Sequence, residues 1–464
     1  MRSAKSIFKL FIEALKGSDQ SFTSGSINRA IFLLSIPMIA EMSLEAVFAV
    51  VDMFWVSKIS TNAVATVGYT ESMMMIVYSV AVGMSMAATA VVARRIGEGN
   101  PDKAASAGFQ SIFLGIMVSL VLGIFGFFQA EELLGLLGAS DDVIQEGVGF
   151  TKIMFLGNMP ILLLFLINAV FRGAGDASIA MRALFISNGL NIILDPLLIF
   201  GLGPIPAMGI EGAAIATTIG RSIGVVYQVF HLVNGSSRIR LLARHVVIRF
   251  KTIVELIRIS ASGIGQFLIE TASWIFLIML ISNFGTDAVA GYQIAFRVIV
   301  FTILPSWGMS NAAATLVGQN LGAGEPARAE TSVWRTAKYN MLFLGGVSIL
   351  FYIAAEPIIQ IFSLEPQVVD VGVSALRIIC IGYVFFAYGM VISQAFNGAG
   401  DTKTPLWINL VVFWVIQIPL AYVLSTVLDW QVNGVLFTIA FCHSLQAVIC
   451  IYLFRRGKWK EVAV

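Results

Sequence analysis

Charge is the first scarcity. Lys, Arg, Asp and Glu make up 12% of the 464 residues, while 58% are hydrophobic; soluble domains carry roughly 25% and 45–50%. That balance excludes an ordinary soluble domain; the net charge of +2 is uninformative beside where the charges fall, and no nucleic-acid partner is expected. Cysteine is rarer still. Cys380, Cys442 and Cys450 stand at spacings that fit neither a disulfide framework nor a metal knuckle, and read as small apolar residues. Histidine occurs only at His231, His245 and His443, far apart in the chain, and neither HExxH nor GxSxG is present. No catalytic constellation or cofactor motif is visible, which argues against an enzyme. The first thirty residues lack an apolar core leading to a small-residue cleavage site. Residues 1–30 therefore read as a basic, amphipathic, surface-lying cytoplasmic segment rather than a signal peptide.

Long apolar runs are abundant. A membrane-crossing helix needs about 20 mostly apolar residues, and twelve segments qualify: 31–56, 65–93, 105–129, 147–171, 180–202, 209–233, 254–283, 288–317, 333–354, 368–395, 405–427 and 432–454. The fold class expected is an all-α polytopic membrane protein. Lys and Arg accumulate on the cytoplasmic side of such proteins. Alternate connections hold Arg94, Arg95 and Lys103, then Arg172 and Arg182, then a run from Arg238 to Arg258, then Arg328, Arg335 and Lys338, then Lys403, and finally Arg455 to Lys460. The other set, including "EELLGLLGASDD", "NFGTD" and "LDWQ", carries none, and Lys58 is the only basic residue plainly in an outer loop. Both termini are expected in the cytoplasm.

The chain also repeats itself. "TNAVA" at 61 returns as "TDAVA" at 286, "RRIGEGNPDKA" at 94 as "QNLGAGEPARA" at 319, and "FRGAGDASIA" at 171 as "FNGAGDTKTP" at 396, a constant offset of 225. A repeat of six spans keeps its orientation, so the copies should be related by an axis along the membrane normal. The expectation is two pseudo-symmetric six-helix lobes around a central cleft, with residues 31–233 and 254–454 as the lobes, a basic linker at 234–253 and a basic tail at 455–464. The GAGD segments read as tight turns built on glycines with positive φ.

Acidic residues break the symmetry. Glu41, Glu45 and Asp52 fall near one stripe of the first span, while Asn191 and Asp195 lie one turn apart in the fifth beside Pro196. At the repeat offset Asp52 faces Leu277, and Asn191 and Asp195 face Ile416 and Leu420. A carboxylate within a bilayer helix costs about 2.5–3.5 kcal/mol on insertion scales and must face protein or water. Such groups are oxygen ligands suited to Na+, or a carboxyl pair able to hold a proton.

"IPMIAEMSLEAVFAVVDMFWVSKIS", "NAVFRGAGD", "NIILDPLLIFGLGPIPAMGIEGAAIATTIGR" and "GQNLGAGEPARA" resemble the multidrug and toxic compound extrusion (MATE) transporters of prokaryotic type, over essentially the whole chain from residue 28. The resemblance implies a V-shaped two-lobed antiporter, acting as a monomer in the bacterial inner membrane. It would exchange H+ or Na+ for lipophilic, often cationic drugs. Matched residue by residue, Asp52, Asn191, Asp195 and Thr217 would hold the coupling cation, and Pro37 and Pro196 would let helices bend. Another branch of the family uses acids of the second lobe; here Glu270 is present but the tenth span has only Asp370 at its outer edge. A substrate cleft is expected from Met38, Met42, Glu41, Glu45, Asn168, Gln266, Glu270, Tyr292 and Gln293. Membrane lipids are the only other partner expected. The rival reading, a flippase of lipid-linked saccharides, would favour a basic cleft for pyrophosphate, whereas the charges within the first and seventh spans are acidic.

Overall fold

The computed structural model describes residues 4–17, 21–235 and 237–464. Parts of the expected surface segment (1–3 and 18–20) and Ser236 of the expected linker lie outside these. Regular structure among the described residues is helical: α1 Ala4–Lys16, α2 Ile27–Val56, α3 Thr61–Gly97, α4 Pro101–Leu136, α5 Asp141–Leu156, α6 Asn158–Ala174, α7 Ala177–Phe200, α8 Gly209–Asn234, α9 Phe250–Ser282, α10 Thr286–Gly322, α11 Pro326–Ile353, α12 Ala355–Gln360, α13 Pro366–Ile381, α14 Tyr383–Ala399, α15 Lys403–Val427 and α16 Gln431–Arg455. Leu202 and Ile205 form an isolated β-bridge in the turn after α7.

Eleven of these stretches are long and apolar enough to cross a membrane, α5 and α6 counting together, and α13 with α14, bent by 58°, makes a twelfth. Both breaks fall on glycine, Gly157 and Gly382, which occupy the same place in the two repeats. Gly382 packs so closely on α16 that a Cβ would lie 3.2 Å from the Ala440 carbonyl oxygen. Several helices outrun their apolar runs. α3 begins at Thr61 and α4 at Pro101 because the side chains of Ser60 and Asn100 accept the backbone N–H groups of Ala63 and Lys103, capping each helix a turn before its lipid-compatible stretch. α1 rests on α2 through buried Ala14 and the Glu13–Arg29 ion pair at 2.6 Å, with Phe8 and Phe11 exposed. Gly175 and Gly400 adopt φ of +93° and +87° and end α6 and α14, as tight turns require.

The halves meet by symmetry-related close approaches. Gly97 of α3 lies against the Gln319 backbone of α10, and Gly322, its repeat equivalent, against the Arg94 backbone of α3. Gly83 likewise abuts Gly263 and Ile264 of α9, as Gly308 abuts Met38 and Ile39 of α2. Hydrogen bonds between the halves cluster at the face with the Lys- and Arg-rich connections. Thr315 Oγ1 donates to the Arg172 carbonyl at 3.1 Å, Gln319 Nε2 to that of Gly173 at 2.8 Å, and Arg94 Nη2 to those of Ala399 and Val462 at 3.2 and 3.0 Å. Arg328 donates to the carbonyls of Phe22, Ser24 and Gly25. Toward the opposite, acidic face, Met75 and Ile76 of α3 and Phe301 of α10 are exposed. The two halves are thus sealed at the basic face.

Candidate functional site

Four helices of the first half build a stack of polar layers. α2 supplies a carboxylate to each layer at Glu41, Glu45 and Asp52, and the partners come from α6, α7 and α8. Innermost, Glu41 accepts Arg172 Nη1 at 2.7 Å and Asn168 Nδ2 at 3.1 Å, and Gln228 donates to Asn168 Oδ1. One turn on, Glu45 accepts both terminal nitrogens of Arg221, at 2.6 and 3.3 Å, and Asn188 Nδ2 at 3.1 Å. Each carboxylate so far is neutralised by a resident guanidinium, which is what burial of a charge demands.

The outermost layer breaks that rule. Asp195 is fully buried and accepts Asn191 Nδ2 at 3.2 Å; the same amide reaches Thr217 Oγ1 at 3.1 Å. The Asp52 carboxyl approaches Asp195 closely enough for the pair to share a hydrogen bond when one of them carries a proton. No Lys, Arg or His among the described residues forms an ion pair with either acid. Asn191 Oδ1 and Asp195 Oδ2 remain without partners. Two carboxyls, an amide and a hydroxyl are thus grouped with no ion-paired cation among the described residues, a set of polar groups whose chemistry suits a hard cation or a shared proton. Pro196 stands beside Asp195 within α7, freeing the carbonyl one turn earlier, and Pro37 lies in an α2 that runs through it without interruption.

Two adjoining chambers open in the interior, the first lined from both halves and the second by the second half save for Met86. One of about 100 Å³ is lined by Met42, Glu45 and Arg172 from the first half and by Trp307, Gln394 and Asn397 from the second. The other, about 270 Å³, is lined by Gln266, Phe267, Glu270, Trp274, Trp307 and Phe386 among others. Trp307, Gln394 and Asn397 belong to both. Glu270 has no ion pair among the described residues and is set among aromatic faces.

Of the residues expected in the cleft, Met42, Glu45, Gln266 and Glu270 line these chambers. The others do not. Glu41, 1% exposed, and Asn168 lie behind the wall, because the wide guanidinium of Arg172 occupies the lining position in front of them. Met38 is drawn into the apolar seam with Ala312 and Leu316, and Tyr292 into the core of the second half beside Ile299 and Leu376. Gln293 is half-buried on α10 and borders neither chamber. Glu45 adds no free negative potential to the first chamber, since Arg221 cancels its charge.

Arg172, Arg221 and Asn188 are the polar residues that sequence reasoning did not assign. A basic residue inside a bilayer helix must find an acid, a signal that Arg221 carries; Arg172 reads as a loop charge. Arg377, also within a span, is exposed and donates to the Tyr352 carbonyl.

The comparisons agree with this architecture. The family model described as MatE matches residues 37–197 and 264–423, one match in each repeat. A probable multidrug resistance protein NorM of Thermotoga maritima is 27% identical, with 94% of each chain covered. A protein named as an FAD transporter, from Shewanella oneidensis, is 25% identical over 93% of this chain and 95% of its own. A solved outward-facing conformation of a multidrug resistance MATE family transporter superposes with a TM-score of 0.89 at 24% identity, covering 95% of this chain and 98% of that one. With a model matching most of its length, once per half, the chain belongs to the MatE family, the multidrug and toxic compound extrusion transporters.

Proposed function

We propose that this protein is a secondary active exporter that exchanges an inward-moving Na+ or H+ for lipophilic, often cationic organic compounds by alternating access. The observation carrying the reading is the Asp52–Asp195 pair. Glu41 and Glu45, on the same helix, each hold an arginine at 2.7 and 2.6 Å, whereas no cation among the described residues forms an ion pair with the outer acids. An uncompensated acid pair beside an amide and a hydroxyl supports exchange of a mobile positive ion. The chambers supply the other ligand site: Trp274, Trp307 and Phe386 offer flat faces and Glu270 a carboxylate, the chemistry that attracts an aromatic cation. The names of the multidrug relatives point the same way.

On this reading the basic face and both chain ends are cytoplasmic, in the bacterial inner membrane, and the seal at that face makes this the outward-open state. The lobes 31–233 and 254–454 rock as two bodies joined by 234–253, and one chain forms the whole cleft, so a monomer suffices. One cation moving inward down 100 mV yields about 2.3 kcal/mol. A monovalent drug exchanged one for one moves no net charge, so the ion's concentration gradient, or a second ion, must then drive export. The flippase alternative finds less support. Arg172, the one cation among the described residues that lines either chamber, is committed to Glu41, leaving none of them for a pyrophosphate.

The test uses purified protein in liposomes with a fluorescent cationic drug, given a sodium gradient and a pH gradient separately. One gradient should drive export in the wild type, and Asp195→Asn should abolish it while leaving folded protein in the membrane. Export by the variant at the wild-type rate, or export indifferent to both gradients, refutes the exchange mechanism.

A further inference from the structure

Glu45 is occupied by a cation that belongs to the chain itself. Arg221, only 3% exposed, grips it with two N–H donors, and its guanidinium carbon lies 5.0 Å from the centroid of the Phe48 ring. A flat cation held by paired N–H bonds to a carboxylate and by an aromatic face is a recognition geometry in its own right. The Glu45 side chain remains 25% exposed and lines the first chamber. A molecule in that chamber can therefore reach the carboxylate from the side that Arg221 does not cover.

We propose that Glu45 is a substrate subsite for planar organic cations of the amidinium or guanidinium class, and that Arg221 is its displaceable internal occupant. An entering ligand takes over Glu45, and the released guanidinium moves to Asp52 and Asp195 and expels the small cation there. This rests on reading Asp52–Asp195 as the coupling-ion site. A guanidinium cannot shed its proton, and a buried one cannot be left unpaired, so displacement requires a second acid within reach. Arg221 and Thr217 are one turn apart on α8, about 5.4 Å, and Thr217 belongs to the hydrogen-bonded group of Asp195. Asp52 already lies within the electrostatic range of Arg221. The exchange conserves paired charge: ligand on Glu45, Arg221 on the acid pair, the small cation released. Glu41 and Arg172 do not form a second such subsite, because Glu41 is 1% exposed and out of a ligand's reach.

Calorimetry on the purified full-length protein tests this, with benzamidinium and Na+ as probes and proton release on benzamidinium binding followed in parallel. In the wild type benzamidinium should weaken Na+ binding, or release a proton, with a reciprocal antagonism of at least tenfold. Arg221→Gln should keep benzamidinium binding and reduce the antagonism below twofold; Arg221→Lys, which retains the mobile charge, should preserve it. Glu45→Gln should lower cation affinity at least tenfold with no ligand present, and Glu45→Gln combined with Arg221→Gln should restore it, a rescue that a merely structural role does not produce. Full antagonism in Arg221→Gln, or wild-type cation affinity in Glu45→Gln, overturns the proposal. Cation binding unchanged in Asp195→Asn overturns it together with the ion-site reading, whereas loss of binding in that variant with intact antagonism in Arg221→Gln overturns this proposal alone.

Discussion

Replacing Gly97 by alanine should open the basic face. A Cβ at this position would lie 2.7 Å from the Gln319 carbonyl carbon and 2.9 Å from its Cα, and nearer still to the carbonyl oxygen. Those atoms are α10 backbone, so no rotamer change relieves the overlap. α3 and α10 must separate by at least the gap between 2.7 Å and the 3.4 Å at which ordinary contact begins. Overpacking of this kind costs about 1–3 kcal/mol, and the cost falls only on the state in which the helices cross here. The equilibrium should therefore move toward the opened state by about 5- to 150-fold. Spin labels at Lys103 and Ala327, both exposed at the first turns of α4 and α11, report the separation by pulsed electron resonance. Gly97→Ala should populate a longer distance, and so should Gly322→Ala, its counterpart in the other repeat. Gly346→Ala, where a Cβ meets nothing within 4 Å, should not. A distance distribution in Gly97→Ala matching the wild type would show that this crossing does not hold the seal.

Glu270→Gln should weaken binding of a cationic aromatic drug at least tenfold and leave an uncharged analogue within twofold, read by tryptophan quenching at Trp274 and Trp307; equal loss for both would make Glu270 a packing residue. Arg172→Met should destabilise the detergent-solubilised protein by about 3–5 kcal/mol, since it strands Glu41 in the interior. Arg172→Met with Glu41→Gln should recover most of that in the same thermal-unfolding assay.

Membrane architecture was legible because lipid-compatible length is a one-dimensional property: apolar runs marked all the spans, and the constant offset marked the repeat. Helix ends were harder, as at α3 and α4, where caps and interfacial turns extend past the apolar stretch. Asn191 and Asp195 could be grouped in advance because an i, i+4 pair beside a proline stands out in an apolar helix; Thr217 joined them only through the family resemblance. The pairings Glu41–Arg172 and Glu45–Arg221 could not, since they join residues 131 and 176 positions apart and depend on how helices stand side by side. The same ignorance of lateral arrangement put Tyr292 and Met38 in the cleft. Helical spacing gives the face a side chain occupies, but not what that face meets.

The seal at the basic face is fastened by amide, hydroxyl and guanidinium donors reaching carbonyls at helix ends, and no ion pair among the described residues spans α2–α8 and α9–α16. A clasp of neutral acceptors has little for salt to screen or for acidity to discharge. Its hold on the two bodies should therefore vary little with ionic strength, leaving bound ligands rather than the surrounding medium to decide when it lets go.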